Sequence, residues 1–403
     1  MRTTAAGMVT TSQCITWHAV DTSAPMAIPE RVHNLREARE VHGDLIDRLV
    51  PWLFESDDLA DAVCEQLEGR YGPFHEALQK GLAADTPASV RALLQAHERV
   101  PAWVDTARVQ RAGRLFFRTG PLGGLVLGAR SLVSGYAAPA GNKPLALTGT
   151  LAADGSRRLA ETGRYVAAVS SPDGLVAGAP GWAITLRVRL MHAHVRWLLL
   201  NGDQWDSERW GHPINQHDLL ATSLLFSIVF VDGVRQLGLQ VTDAEAEDHL
   251  HLWRWASWLM GARLELLPDR QANARAIVEV IQLTQGPPDA DSRRLVWQLL
   301  HGGRAAEAPP VFRHLASGLC HALLPDGVAS RLGLPDTRWR HLVSAMPWLV
   351  GPGEAMRRHG PQWVEDRLVR LGQQYWEAAN RRVPRDEGSD YTPPSRLRGA
   401  TIG

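Results

Sequence analysis

Two short runs of the chain carry residue types suited to chemistry. Thr185 to Leu200 reads TLRVRLMHAHVRWLLL, and Arg157 to Tyr165 reads RRLAETGRY. The first sets two imidazoles, His192 and His194, between two guanidiniums, Arg189 and Arg196; the second sets Arg158 and Thr162 four residues apart. A neutral imidazole donates a lone pair to a metal, and a guanidinium is a permanent cation shaped for carboxylates. On a helix, where successive residues turn by about 100°, Arg189, His192 and Arg196 share one face and His194 points almost oppositely. Leu186, Leu190, Ala193 and Trp197 supply an apolar stripe that buries such a helix against a core.

Three arrangements of the histidines fit this spacing. One is a core histidine hydrogen-bonded through its ring nitrogens. Read as a strand, LRVRLMHAHV alternates with period two, which puts His192 and His194 on one face as a metal-dependent hydrolase would hold zinc. Read as a helix, His192 alone faces inward as an axial ligand to haem iron, with Arg189 or Arg196 available for propionates. Arg158 and Thr162 project from one helix face, a spacing that also fits an exposed arginine and a threonine bonded back to its own helix. Glu247 and His251, likewise four apart, have the spacing of a divalent-metal pair or of an ordinary packing contact.

The elements that must position these groups read as helices. Asn34 to Leu49 is a charged helix, and Ser56 or Asp57 caps a second. Thr86-Pro87 is an N-cap and first-turn pair, followed by Val90, Leu93, Leu94 and His97 on one side. From Ala102 to Tyr136 a helix meets Gly120-Pro121 and resumes with Gly123, Gly124 and Gly128, which permit close approach but form no phosphate-binding loop. Pro139 to Asn142 reads as a turn. Asp218 is the candidate cap of an almost wholly apolar helix, and Thr242 to Glu245 is a capping box by pattern. Further helices read at Gln271 to Thr284, Ser292 to His301, Val311 to Leu323, Thr337 to Leu349 and Gln362 to Arg382. Strand-like alternation is scarce, so the expected fold class is all-α. The expected division is a mobile segment over 1–30, one helical domain over 31–383 and a disordered tail over 384–403.

Composition narrows the function classes. Among 403 residues, Lys+Arg and Asp+Glu are both 43, so no general attraction to nucleic acid or an anionic surface is expected. Lys80 and Lys143 are the only lysines. Cys14, Cys64 and Cys320 are far apart and form no paired-cysteine motif, which leaves disulfide frameworks, thiolate zinc sites and covalent haem attachment unsupported. No secretion signal and no uninterrupted apolar run of about 18 residues is read, so a cytoplasmic protein without a membrane span is expected.

The order TG…L…RRLAET…G…TLRVRLMHAHVR…WG.PINQHDLLAT…FS…LG…WRWASWLMG, over roughly residues 45 to 350, resembles the catalytic domain of the MpaB-type and latex-clearing rubber oxygenases. The resemblance implies a non-covalent haem b in a multi-helical domain with a globin-like core and added helices. It matches His192 to the proximal iron ligand and Arg158 and Thr162 to the distal polar residues, with O₂ and a small hydrophobic substrate as partners. Oxidative cleavage of a carbon–carbon double bond to carbonyl products is the implied reaction. Two departures bear on the substrate. Rubber-cleaving members carry a lysine where this chain has Glu161, and a carboxylate near the position of Asn142, whereas none occurs here between Asp105 and Asp154. The expected substrate is therefore a small isoprenoid-like molecule rather than polyisoprene, the alternatives being a haem sensor or carrier without turnover, or a hydrolase using His192 and His194.

Overall fold

The computed structural model describes residues 28–148, 155–302 and 309–381. The expected mobile leader, up to residue 27, and the expected tail from 384 lie outside the described residues. Among the described residues every regular element is helical, in accord with the all-α expectation.

Helices α1 (Leu35–His42) and α2 (Leu45–Leu49) occupy the stretch expected as one helix. Gly43, at φ 63°, separates them, a conformation glycine adopts without a side-chain clash. α3 (Asp58–Leu67) begins under Asp57, whose carboxylate accepts from the Ala60 N–H at 3.4 Å. α4 (Gly72–Lys80) and α5 (Ala88–Gln95) follow. Pro87 is itself the residue flanking α5, so the expected Thr86 cap sits one position too early.

α6 (Thr106–Val126) continues through a π-helical stretch, Leu127–Leu132, into α7 (Val133–Tyr136). Its axis bends at Gly120 (φ 51°, ψ −131°), because Pro121 offers no N–H and excludes the helical conformation from the residue before it. α8 (Pro139–Thr148) replaces the turn expected at Pro139 to Asn142. A proline opening a helix forfeits no hydrogen bond, and its fixed φ suits the first turn.

α9 (Gly155–Ser170), α10 (Pro180–Leu200) and α11 (Ser207–Trp210) come next. α12 (Gln216–Phe226) is capped by Asn215, whose side chain accepts from the Asp218 N–H at 2.9 Å. Asp218, the expected cap, instead pairs with Arg31 at 2.6 Å. α13 (Ile228–Gln236) follows after a break at Ser227. Gln216–Gln236 is the one stretch among the described residues long and apolar enough to cross a membrane, and 72% of its apolar window is buried inside the protein, as a core helix requires.

α14 (Asp243–Leu259) opens on the expected capping box, with Thr242 and Glu245 each accepting the other's backbone N–H. α15 (Gln271–Thr284), α16 (Ala290–His301), α17 (Pro310–Leu323), α18 (Val328–Arg331), α19 (Arg340–His359) and α20 (Gln362–Arg381) complete the described chain. α19 runs past the expected stop at Leu349, through Pro347 and Pro352.

α6 is central, flanked by α20, α14 and α9, while α10 lies on α3 and α9. The α6–α20 backbones approach so closely at Gly372 that any Cβ would collide with the Phe117 carbonyl. Phe226 and Trp253 stack at 4.8 Å, with Tyr165 of α9 edge-on to Trp253 at 6.0 Å. This aromatic joint ties α9 to α12 and α14, and so fixes the helix that carries Arg158 and Thr162.

Candidate functional site

α10 is amphipathic by sequence and is seated by its apolar stripe. Leu186, Leu190 and Ala193 are all buried, and α9 packs along α10. The strand arrangement of LRVRLMHAHV is thereby replaced by a helix, and the two histidines diverge as the 100° turn demands.

His194 is held in the core. Its Nδ1 lies 2.6 Å from the Tyr71 hydroxyl, and its ring stacks on Trp197 with centroids 6.1 Å apart. His192 lies on the other side, only partly covered, with Nδ1 buried and meeting no hydrogen-bond partner. Burial pushes its pKa down to about 3, with the Arg196 and Arg158 charges adding to the effect and Asp57 opposing it. The imidazole is therefore neutral at ordinary pH, the form that donates a lone pair. A hydrolytic metal site on both histidines does not fit this geometry. Among the described residues no cluster of three His, Cys, Asp or Glu side chains could hold a metal ion.

Arg158 and Thr162 occupy successive turns of α9, and both are half-buried. α9 packs along α10, the Arg158 charge is among the causes that lower the His192 pKa, and Thr162 lies one turn along α9 from Arg158. Glu161, beside Thr162, is also half-buried.

Arg189 and Arg196 are placed differently from the expectation that they hold propionates. Arg189 is bound by Asp57 through two bonds, Nε to Oδ2 at 2.6 Å and Nη2 to Oδ1 at 2.7 Å. Its Nη1 meets His97 Nε2 at 3.0 Å and the Leu259 carbonyl at 3.1 Å. Arg196 is bound by Asp61, Nη2 to Oδ1 at 2.6 Å, and by the Ile214 carbonyl at 2.9 Å. These donors are engaged by the protein's own acceptors, and a buried guanidinium without such partners would be costly. The two arginines are clamps: they pin α10 to α3 one turn before and one turn after His192.

Of the residues that hold this helix, Asp61 and Tyr71 went unread in the sequence, Asp57 was noticed only as a cap, and His97 only as one side of its helix. Two arginines seven apart on the inner face of a helix are a signal that acidic partners must exist, since buried arginine is rare unless paired. The pattern does not say where in the chain they are. His97 Nδ1 donates to the Leu93 carbonyl at 2.8 Å, which assigns Nε2 as the acceptor facing Arg189.

Lys143 and Asn142 sit on α8. Lys143 is paired with Asp289 at 2.9 Å and Asp291 at 2.7 Å, at the edge of a surface cleft of about 300 Å³ also lined by Arg31, Trp210 and Pro287. Its ammonium is thus engaged by two carboxylates. Asn142 faces inward, giving hydrogen bonds to the Tyr136 carbonyl at 2.7 Å and Ser292 Oγ at 3.0 Å, while its buried Oδ1 meets no partner. An amide at this position cannot take a proton as a carboxylate would. Glu247 and His251 form no metal pair: Glu247 accepts from the Gln271 N–H at 3.0 Å and His251 Nε2 from the Asp105 N–H at 2.9 Å.

Comparison with known proteins agrees with this arrangement of helices. Residues 117–351 match the family described as ER-bound oxygenase mpaB/B'/rubber oxygenase, catalytic domain. The chain is 25% identical over 324 residues to a rubber oxygenase of Streptomyces sp. (strain K30), covering 77% of this chain and 78% of that protein. Its fold is similar to that of latex clearing protein LCP in the closed state, with a TM-score of 0.63 and 22% identity over 80% of this chain and 91% of that one.

Proposed function

Because the chain belongs to the mpaB/rubber oxygenase catalytic-domain family, and so to the oxygenase class of oxidoreductases, we propose that it is a haem b-dependent oxygenase that cleaves a carbon–carbon double bond in a small lipophilic substrate. The observation that carries the haem assignment is the His192 imidazole, which is neutral and has a buried Nδ1 without a partner. Such a neutral ring would hold the haem iron through a ring nitrogen. Haem b, when bound, supplies the activation of O₂.

The chain's own residues supply the surroundings. Arg158 would supply a fixed positive charge that stabilises negative charge developing on oxygen. Thr162, on the next turn of α9, offers a hydroxyl that both donates and accepts. In the balanced reaction one O₂ and one alkene give two carbonyl groups, each carbon of the double bond receiving one oxygen atom. Asn142 in the place of a carboxylate, Glu161 in the place of a lysine, and Lys143 held by two aspartates all favour a substrate other than polyisoprene.

The assignment is tested by absorption spectra of the haem-supplied wild type beside His192→Ala and His194→Ala. A Soret band lost only in His192→Ala is expected, and a band that survives that substitution removes the axial role. The missing carboxylate and lysine favour one second reading, a haem-binding sensor or carrier. Haem binding without carbonyl products from a panel of isoprenoid alkenes would select it.

A further inference from the structure

Two guanidiniums flank His192 on its own face of α10, Arg189 one turn before it and Arg196 one turn after. Their counter-ions are placed differently. Arg189 and Asp57 are equally deep, with 4% and 5% of the side chain exposed, so that pair presents almost no net charge to its surroundings. Arg196 is as deep, at 2%, while its partner Asp61 is 26% exposed. A carboxylate at the water's edge is screened by solvent, and a guanidinium in the low-dielectric interior is screened far less. The second pair therefore leaves a residual positive charge on the His192 side.

The protein fixes that charge in place. Asp61 meets Nε with both oxygens, at 2.9 and 3.0 Å, and Nη2 with Oδ1 at 2.6 Å, while the Ile214 carbonyl meets Nη1 at 2.9 Å. Ile214 holds its carbonyl there at φ 51°, a conformation that a β-branched residue seldom adopts, and its side chain packs against Val195 and Leu199 of α10. Strain of this kind persists where the surroundings over-determine it. On the imidazole itself, Nδ1 meets no acceptor among the described residues. Burial is the larger reason that the ring stays neutral, and among the charges Arg196 leads, Arg158 follows and Asp57 opposes.

We propose that Arg196, acting through His192, raises the reduction potential of the haem iron. The inference rests on the haem reading above. Ferric haem carries one positive charge more than ferrous haem, so a buried cation beside the axial ligand disfavours the ferric state. A carboxylate bonded to Nδ1 would make the ligand more basic and act in the opposite sense. Arg196 is thus a positioning residue with an electrostatic task as well: it holds α10 to α3 and biases the iron towards its reduced state.

The test is the ferrous-to-ferric ratio of the haem-supplied full chain, read by absorption in a solution poised at the wild-type midpoint. Arg196→Gln should lower that ratio about tenfold, the order expected for one charge removed from a partly screened interior. Arg196→Lys keeps the charge but not the forked bonding, so its ratio should stay within about twofold of wild type although it unfolds at a lower temperature. Asp61→Asn removes the counter-ion and should raise the ratio about threefold. Equal changes in the two Arg196 variants would make the bonding responsible rather than the charge and overturn the proposal, as would a ratio unchanged in both. Should Arg196→Gln fail to fold, Asp61→Asn decides, and a ratio that is unchanged or lowered overturns the proposal equally. A wild type without a Soret band removes the haem reading and this one together, whereas a Soret band with midpoints indifferent to these charges removes this one alone.

Discussion

Asp57 meets Arg189 side-on, with both carboxylate oxygens on the guanidinium at 2.6 and 2.7 Å, one turn from His192 and with both side chains almost fully buried. The pair sets the register of α10 against α3. Asp57→Ala leaves the buried guanidinium without its counter-ion, held only by the neutral acceptors His97 Nε2 and the Leu259 carbonyl. A loss of about 3–5 kcal/mol is expected, read as a lowered unfolding midpoint in urea. The double variant Asp57→Leu/Arg189→Met should recover much of that stability, since a matched apolar pair incurs no desolvation penalty.

His97 couples this clamp to pH. Burial and the neighbouring Arg189 push its pKa down to about 4, partly offset by the bond to the Leu93 carbonyl. In the unfolded chain its pKa returns to the ordinary value, near 6.5. The unfolded state thus takes up the proton first as pH falls. Stability is full above about pH 6.5 and declines toward pH 4, by roughly 3 kcal/mol for this group at the lower end. Thermal unfolding from pH 7 to pH 4 should show the decline, and His97→Gln should flatten it while keeping an acceptor for Arg189.

Gly372→Ala tests the approach of α20 to α6. The added methyl would meet the Phe117 carbonyl, a backbone atom that no rotamer change can move aside. Overpacking of this kind costs about 1–3 kcal/mol. Calorimetry should show a lowered midpoint, and an unchanged one would mean that the two helices separate freely.

Arg158→Ala separates binding from turnover. The haem spectrum should persist, because His192 is retained, while carbonyl product formation falls about 100-fold through loss of one fixed charge. A variant that loses the Soret band instead would make Arg158 a cofactor-retaining residue, contrary to the role proposed for it.

The parts of this arrangement legible in the sequence were those set by neighbours along the chain. The turn of α10 separates His192 from His194, and the Thr242–Glu245 cap closes as its spacing requires. What was illegible depended on partners far away in sequence. Arg189 meets an acid 132 positions upstream and Arg196 one 135 upstream, so both looked available for a ligand. Pro139 failed for a local reason: the same residue that breaks a helix interior also begins one. Gly43 split an expected single helix because charge patterning did not register the backbone conformation there.

The π-helical stretch at Leu127–Leu132 gives the chain an unusual tolerance at one place. A π turn holds about one residue more than an α turn. Deleting one residue there would let the backbone regain ordinary helical bonding without breaking the rod. Because the wider turn winds less per residue, it absorbs the added residue, and Val133 and Tyr136, now 0% and 5% exposed, would keep facing the core after the deletion. The extra residue therefore leaves the phase of α7 untouched. Relatives that lose one residue in this segment should keep the same apolar pattern along α7, which sequences alone can show.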